Sequence, residues 1–169
     1  MQTDPRKTVL GSRIFGRQSS RRGDQPSKHR HKRCGWWKVK PCPPGWLQFE
    51  KSCYLFSNET STWDAASQHC AHVGGYLATV NSLREHNFTA DNRLYQENDL
   101  FVGGRRSEDG SFQWVNGESM EFTHWGEGEP SNTDGNQNCL QLRAKTNGLW
   151  DDQRCDETIP NVCEKAMFG

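Results

Sequence analysis

The amino-acid sequence predicts an α+β domain that is held together by disulfide bonds. Two helical patterns come first within residues 42–169, and short strand patterns separated by turns follow them. The 169-residue chain contains seven cysteines and only 32% apolar residues. A core this lean gains stability from disulfides, which favours an oxidising compartment. A cytosolic zinc protein is disfavoured because the chain has no CxxC pair.

Two capping motifs predict where the helices begin. The letters STWD at residues 61–64 open a helical pattern that Gly74-Gly75 ends. The letters SLRE at residues 82–85 open a second helix, which is predicted to end near Asn92. The apolar positions of the first helix recur at spacings of three and four residues, and they are Trp63, Ala66, Cys70 and Val73.

Turn residues predict short strands in the second half of the chain. Asn116-Gly117 ends one strand in a tight turn, and Asn147-Gly148 lies inside a predicted hairpin. Residues 118–138 form a long turn-rich segment, and a loop of this length is usually functional. The predicted strands are residues 100–102, 112–114, 140–142, 149–150 and 161–165.

Charge divides the chain into two parts. Residues 1–41 carry twelve Lys and Arg side chains against two acids, whereas residues 42–169 carry nine against nineteen. The first part is rich in Arg, Lys, Ser and Gly and lacks apolar periodicity, so it cannot bury enough surface to offset its ordering entropy. We therefore predict a disordered basic tail at residues 1–41 and one folded domain at residues 42–169.

Three features of the tail suggest additional roles. Arg22-Gly23-Asp24 spells an integrin-type adhesion tripeptide, although chance readily produces it in an Arg-rich segment. The letters RHKR at residues 30–33 resemble a dibasic processing site, and cleavage after Arg33 would leave Cys34 at the new terminus. The alternative is a solvated run of charge. Clustered cations also bind polyanions without reading a base sequence, so no specific nucleic-acid partner is expected.

The sequence predicts a secreted or extracellular protein. No apolar run approaches the roughly 18–20 residues that a membrane span requires, so no span is expected within this chain. Residues 1–33 also lack the apolar segment and the small-residue cleavage site of a signal peptide. Either export uses another route or the true N-terminus precedes Met1, and we favour the second interpretation.

Several spaced motifs characterise residues 42–165. The first half contains CPPGW at residues 42–46, Cys53-Tyr54, Trp63, Cys70 and GGYLA at residues 74–78. The second half contains FVG at residues 101–103, Trp114, Trp125, EPS at residues 129–131, Cys139, GLWDD at residues 148–152, Cys155 and Cys163. In this order the motifs resemble the C-type lectin-like domain family. The resemblance implies two helices, short antiparallel sheets and a long loop that binds calcium and ligand.

The resemblance also implies a disulfide pattern. Its three bonds are Cys42–Cys53, Cys70–Cys163 and Cys139–Cys155. The first of these marks the long form of the domain, which has an extra N-terminal hairpin. Cys34 is then left over, and it either forms an interchain bridge in a homo-oligomer or remains a capped or free thiol.

Three acidic residues on two segments of the chain are candidate metal ligands. Glu129 adjoins the stiff Pro130, and Asp151 and Asp152 follow Trp150. Calcium takes six to eight hard oxygen ligands, several of them charged, and these carboxylates are ligands of that kind. The alternative is a pair of acidic loops that face solvent without a metal.

The resemblance places a calcium-dependent sugar site at the same positions, with departures from the mannose-binding pattern. The implied metal ligands are Glu129, Ser131, Asp151 and Asp152, with Gln137 as a further candidate, and the same four residues are expected to contact carbohydrate. Mannose-binding members have Asn where this chain has Ser131, Glu where it has Gln137, and Asn where it has Asp151. Gln137 removes one negative charge and Asp151 restores one, which favours a retained site.

The implied mechanism is direct ligation of two neighbouring sugar hydroxyls to Ca²⁺. The hydroxyls would donate hydrogen bonds to Glu129 and Asp151 and would meet the hydroxyl of Ser131. Because Asp151 replaces an amide donor, the hydroxyl orientation of mannose-type sites need not hold. The Gln-Pro-Asp motif of galactose-type sites is also absent, but the resemblance to invertebrate members with the same Ser and double-Asp combination favours a galactose-type over a mannose-type preference. A second, auxiliary calcium site is not expected, since amides stand where acids would be needed. The resemblance further implies a cis Glu129–Pro130 bond in the metal-bound state.

Binding rather than catalysis is the expected function. The chain has no GxSxG or HExxH motif, so no enzyme activity is predicted. Glycans or glycoproteins are the expected partners, and oligomerisation through Cys34 would raise weak affinity by avidity. The alternative is a calcium-independent module that binds protein or associates with mineral or matrix, which Ser131 and Gln137 favour. Asn58 and Asn87 begin glycosylation sequons and are predicted to be modified.

Overall fold

The computed structural model describes residues 41–92 and 97–167. Residues 1–40 of the predicted basic tail lie outside the described residues, together with Cys34, the Arg22-Gly23-Asp24 tripeptide and the sequence that ends at Arg33. The domain predicted at residues 42–169 is described except for residues 93–96 and 168–169.

Eight strands, two α-helices and one short 3-10 helix make up the described part of the chain. The strands are β1 (Leu47–Phe49), β2 (Ser52–Ser61), β3 (Tyr76–Leu77), β4 (Leu100–Arg106), β5 (Phe112–Trp114), β6 (Gln137–Leu142), β7 (Trp150–Arg154) and β8 (Ile159–Ala166). The helices are α1 (Trp63–His72) and α2 (Leu83–Ala90), and the 3-10 helix is Ala144–Thr146. This composition confirms the predicted α+β class.

One mixed sheet contains all eight strands. Its main path runs β1-β2-β8-β4-β6-β7, with β3 paired to β8 and β5 paired to β4. All pairs are antiparallel except β4 and β8, which meet in parallel at Phe101 and Asn161. Two strands precede α1, whereas the residue patterns alone predicted helices first. The polar second half of β2 has no apolar alternation, and its pairing partner β8 lies about a hundred residues away, as the Ser61–Ile159 register shows.

Both helices begin within the predicted capping motifs, with Thr62 and Ser82 as the N-caps. The Thr62 hydroxyl accepts a hydrogen bond from the backbone N–H of Ala65 (3.3 Å), and the Ser82 hydroxyl accepts one from Glu85 (3.2 Å). The second helix ends at Ala90, two residues before the predicted end. Among the described residues, no helix has the length and apolar character of a membrane span.

Three disulfides cross-link the domain, and one of them joins α1 to the sheet. The structure contains Cys42–Cys53, Cys70–Cys163 and Cys139–Cys155, the pairs that the resemblance implies. Cys70–Cys163 ties α1 to β8 across a sequence separation of 93 residues. In the chain-entropy account, closing a loop of that length stabilises the folded state by about 4–5 kcal/mol.

A glycine pair lets β4 continue past its predicted end. A Cβ atom at Gly103 would lie 2.4 Å from the carbonyl oxygen of Leu77, and one at Gly104 would lie 2.7 Å from the Cβ of Leu140. The strand therefore packs closely on both neighbours because these positions have no side chain. As a result β4 extends to Arg106 and carries this side chain towards the long loop.

Trp150, the first residue of β7, holds the beginning of the long loop. Its backbone N–H donates to the carbonyl of His124 (2.9 Å), and its carbonyl accepts from the N–H of Gly126 (2.8 Å). The Trp125 ring packs edge-on against the fully buried Trp150 ring at 5.6 Å and against Phe112 at 5.0 Å. Trp125 therefore packs under the loop.

A histidine pair lies beside this attachment. The rings of His86, on α2, and His124, on the loop, are 4.2 Å apart, and His86 is 3% exposed. Burial and the neighbouring His124 lower the pKa of His86 from 6.5 to about 4, while Asp91 acts weakly in the opposite direction. The folded state thus holds His86 neutral at pH values where the unfolded chain binds a proton.

We expect this histidine to make the domain less stable as the pH falls from about 6.5 to about 4. Its pKa is lower in the folded state, so the stability present above pH 6.5 is lost through that window. Between pH 7 and pH 5, the free energy of unfolding should fall less in the His86→Gln variant than in the parent chain. The difference should be about 1–2 kcal/mol after allowing for solvent screening. Urea denaturation at both pH values measures this difference.

The matched control is His72→Gln, at an exposed histidine near the end of α1. Comparing each variant with the parent chain separates His86 from carboxyl groups that titrate in the same range. An unchanged pH dependence in His86→Gln would contradict the expectation.

Candidate metal and ligand site in the long loop

Three carboxylates meet where the long loop crosses β7. Glu129, Asp151 and Asp152 each offer one oxygen, and these oxygens lie within 4.8 Å of one another. Glu129 is positioned by its backbone N–H, which donates to the carbonyl of Gly126 (3.1 Å). The Glu129–Pro130 peptide bond is cis. The acids predicted as metal ligands are therefore brought together from two segments of the chain.

Asp152 is the best-buried member of the cluster, with 0% exposure. Its Oδ1 accepts a hydrogen bond from the N–H of Ser131 (2.8 Å), and its Oδ2 accepts one from the N–H of Asn132 (2.9 Å). The same Oδ2 receives Nη2 of Arg106 at 2.5 Å. A buried carboxylate needs such partners, since its desolvation is otherwise costly. Asp152 consequently anchors the loop to β7.

Asp151 and Glu129 are held less fully. Asp151 accepts a hydrogen bond from Nε2 of Gln141 (2.7 Å) and has Nε of Arg143 at 3.6 Å. Glu129 accepts one from the N–H of Ser131 (2.8 Å), which it shares with Asp152. Burial and then repulsion by Asp151 raise the pKa of the Glu129 carboxyl, although the contacts with Ser131 oppose the shift. The crowded negative charge favours binding of a cation.

The two remaining predicted ligands, Ser131 and Gln137, contact each other within the loop. The Ser131 hydroxyl donates to Oε1 of Gln137 (3.4 Å), which also accepts the N–H of Thr133 (2.7 Å). The Thr133 hydroxyl donates to that of Ser131 (2.9 Å). These side chains stabilise the turn, and their placement as metal ligands stays a prediction.

Sequence reasoning missed three side chains at this site: Arg106, Gln141 and Arg143. The contact of Gln141 could have been predicted from the hairpin, because Gln141 pairs directly with Asp151 in the β6–β7 register. Arg106 had no local signal, since it reaches Asp152 from β4, 46 residues earlier in the chain.

The three carboxylates suit calcium by the chemistry of their donors. Calcium prefers hard, charged oxygen ligands, and three carboxylate oxygens are gathered here. Among the described residues, this group combines three acids within reach of one ion. The residues therefore fit a calcium ion, with Arg106 as a positive charge already in contact with one of them.

Comparison with known proteins places this fold in a family. The family model for the lectin C-type domain matches residues 59–165. C-type lectin domain family 4 member G of Homo sapiens is 39% identical over 129 residues, which cover 75% of this chain and 43% of the relative. The chain thus spans less than half the length of that relative.

Two solved structures illustrate the likeness of fold. A calcium-independent type II antifreeze protein has a TM-score of 0.69 and 28% identity, over 75% of this chain and 95% of its own. The cow C-type carbohydrate-recognition domain of CD23, solved in the presence of GlcNAc2Man3 oligosaccharide, has a TM-score of 0.69 and 26% identity, over 75% of this chain and 97% of its own. The match across residues 59–165, with the disulfide-bonded α+β fold, shows that the chain belongs to the C-type lectin family.

Proposed function

We propose that this chain is an extracellular lectin that binds carbohydrate in a calcium-dependent manner. The observation that carries the proposal is the meeting of Glu129, Asp151 and Asp152 within 4.8 Å. Three carboxylates so close together repel one another, and a divalent cation would relieve this repulsion. The matched family consists of binding proteins, which agrees with a site that has acidic ligands and no predicted nucleophile.

The chain supplies the groups that would orient a sugar. Calcium, when bound, would offer coordination positions to two neighbouring sugar hydroxyl oxygens. Glu129 and Asp151 would accept hydrogen bonds from those hydroxyls, and the Ser131 hydroxyl would donate or accept. Asp152 has a different task, because its oxygens already hold Arg106 and two loop amides. It would share the metal while keeping the loop in place.

The same residues support a preference for galactose-type ligands. Asp151 offers acceptors where an asparagine would offer both a donor and an acceptor. Gln141 donates to Oδ2 of Asp151 and so helps to fix the position of this carboxylate. Two carboxylate acceptors and one serine hydroxyl thus replace the amide donor of mannose-type sites, and the proposed galactose-type preference is based on this difference.

A calcium-independent protein- or matrix-binding module is the second candidate. Three observations favour it. Arg106 already provides a positive charge at Asp152, and the predicted ligands Ser131 and Gln137 are hydrogen-bonded to each other. A calcium-independent protein also appears among the structural neighbours.

Secretion, glycosylation and assembly complete the proposal. Three disulfides fit an oxidising compartment. Asn58 and Asn87 are exposed, as modification by a glycan requires. Glycans or glycoproteins would be the partners, and Cys34 would link chains into an oligomer with higher avidity.

Calcium should raise the thermal midpoint of the full chain, because a ligand that binds the folded state stabilises it by mass action. At about 100 times Kd the gain should approach roughly 2.7 kcal/mol. Glu129→Gln should weaken this gain strongly, since it removes one charged ligand and keeps the shape of the side chain. Differential scanning calorimetry across a calcium titration, with chelator as reference, measures both.

The matched control is Glu127→Gln, at an exposed acid two positions earlier in the same loop. It should retain the calcium-dependent gain. A midpoint of the parent chain that does not respond to calcium would contradict the proposed function.

Galactose should compete better than mannose for binding of the chain to a glycan-coated surface, and chelator should abolish binding. Ser131→Asn combined with Asp151→Asn should move the preference towards mannose by about tenfold, because it exchanges acceptors for amide donors. Monosaccharide competition measures the ratio. A parent chain that prefers mannose would show that the acceptor argument is wrong.

A further inference from the structure

Arg106 is fixed from four directions at the end of β4. Its Nε donates to the carbonyl of Gln137 (3.3 Å), and its Nη1 donates to the carbonyl of Gly110 (3.1 Å). Its Nη2 donates to Oδ2 of Asp152 (2.5 Å), and its guanidinium lies over the Phe112 ring at 4.7 Å. These contacts leave the charge little freedom to move.

The neighbouring Arg105 shows how unusual this environment is. Arg105 pairs with Asp64 at 2.6 Å, but the side chains of that pair are 46% and 59% exposed. In the pair of Arg106 with Asp152 the exposures are 15% and 0%. Exposed ion pairs contribute little, whereas loss of one partner from a buried pair leaves an uncompensated charge. Removal of Arg106 would therefore leave a buried charge on Asp152 without its cation, whereas removal of Arg105 would leave Asp64 in contact with solvent.

We propose that Arg106 is a built-in counter-cation of the long loop, which orders the loop without metal and competes with calcium for Asp152. Asp152 gathers the N–H groups of Ser131 and Asn132, so whatever holds this carboxylate also holds the loop. A guanidinium stays protonated at all relevant pH values, and its charge is permanently present. The calcium part of this inference rests on the proposed function.

Charge determines the sign of the effect on metal binding. Glu129, Asp151 and Asp152 together carry three negative charges, and Arg106 contributes a positive charge in contact with one of them. A fixed positive charge beside the ligands repels an incoming cation. The two amide donors to Asp152 remain when Arg106 is replaced, so the carboxylate keeps part of its support. We therefore expect replacement of Arg106 to tighten calcium binding, whereas a purely structural role would weaken it.

The test compares Arg106→Gln with the matched control Arg105→Gln in the full chain. Hydrogen exchange at the amides of Ser131 and Asn132, in chelator, should become about tenfold faster in Arg106→Gln and should not change in the control. Calcium Kd from isothermal titration should fall by about tenfold in Arg106→Gln alone. Arg106→Lys, which keeps the charge but not the fork of donors, should retain the parental Kd more closely.

Each outcome decides the inference. Unchanged exchange at the two amides, or weaker calcium binding in Arg106→Gln, would overturn it. A parent chain that binds no calcium would contradict the proposed function, while the exchange measurement still decides the role of Arg106. Exchange of buried amides in β2 and β8 shows whether each variant is folded. If Arg106→Gln does not fold, Arg106→Lys replaces it in the exchange comparison.

Discussion

The buried carboxylate of Asp152 is the constraint on which the long loop depends. The carboxylate is withdrawn from water, and three donors stabilise it: two amides of the loop and the guanidinium of Arg106. The loop closes because those amides must reach the carboxylate, and β4 extends to Arg106 because a glycine pair allows it to pack there. The geometry of the site thus follows from satisfying one charge inside the fold.

Strand β7 connects this polar anchor to the apolar core. Trp150 binds the beginning of the loop through His124 and Gly126, and Asp152 binds the segment after the cis peptide bond. The two attachments are two residues apart on one short strand. Glu129 lies between them along the loop, so its position relative to Asp151 is set from both sides. A change in core packing around Trp150 would accordingly be transmitted to the carboxylates.

Local signals predicted the parts of this molecule that depend on neighbours in sequence. The caps at Thr62 and Ser82, the Asn147-Gly148 turn and the acids at 151 and 152 were all identifiable from short motifs. The strand β2 was not, because its pairing with β8 is a long-range contact. Arg106 was missed for the same reason, since a lone arginine after a strand gives no indication of which carboxylate it will meet. Contacts between residues far apart in sequence determine these features, and short sequence motifs do not reveal such contacts.

A fixed cation and a metal ion solve the same electrostatic problem in different ways. A metal ion can leave, and the carboxylates that held it then repel one another and release the loop. The guanidinium of Arg106 is covalently attached, so Asp152 keeps its partner in either state. A loop that is already closed loses less conformational entropy when a ligand binds. However, the positive charge of Arg106 reduces the net negative charge of the site, so the site attracts calcium less strongly. Because Asp152 retains two amide donors besides Arg106, we expect the charge effect to outweigh the ordering effect, so that the preformed loop is accompanied by weaker calcium binding.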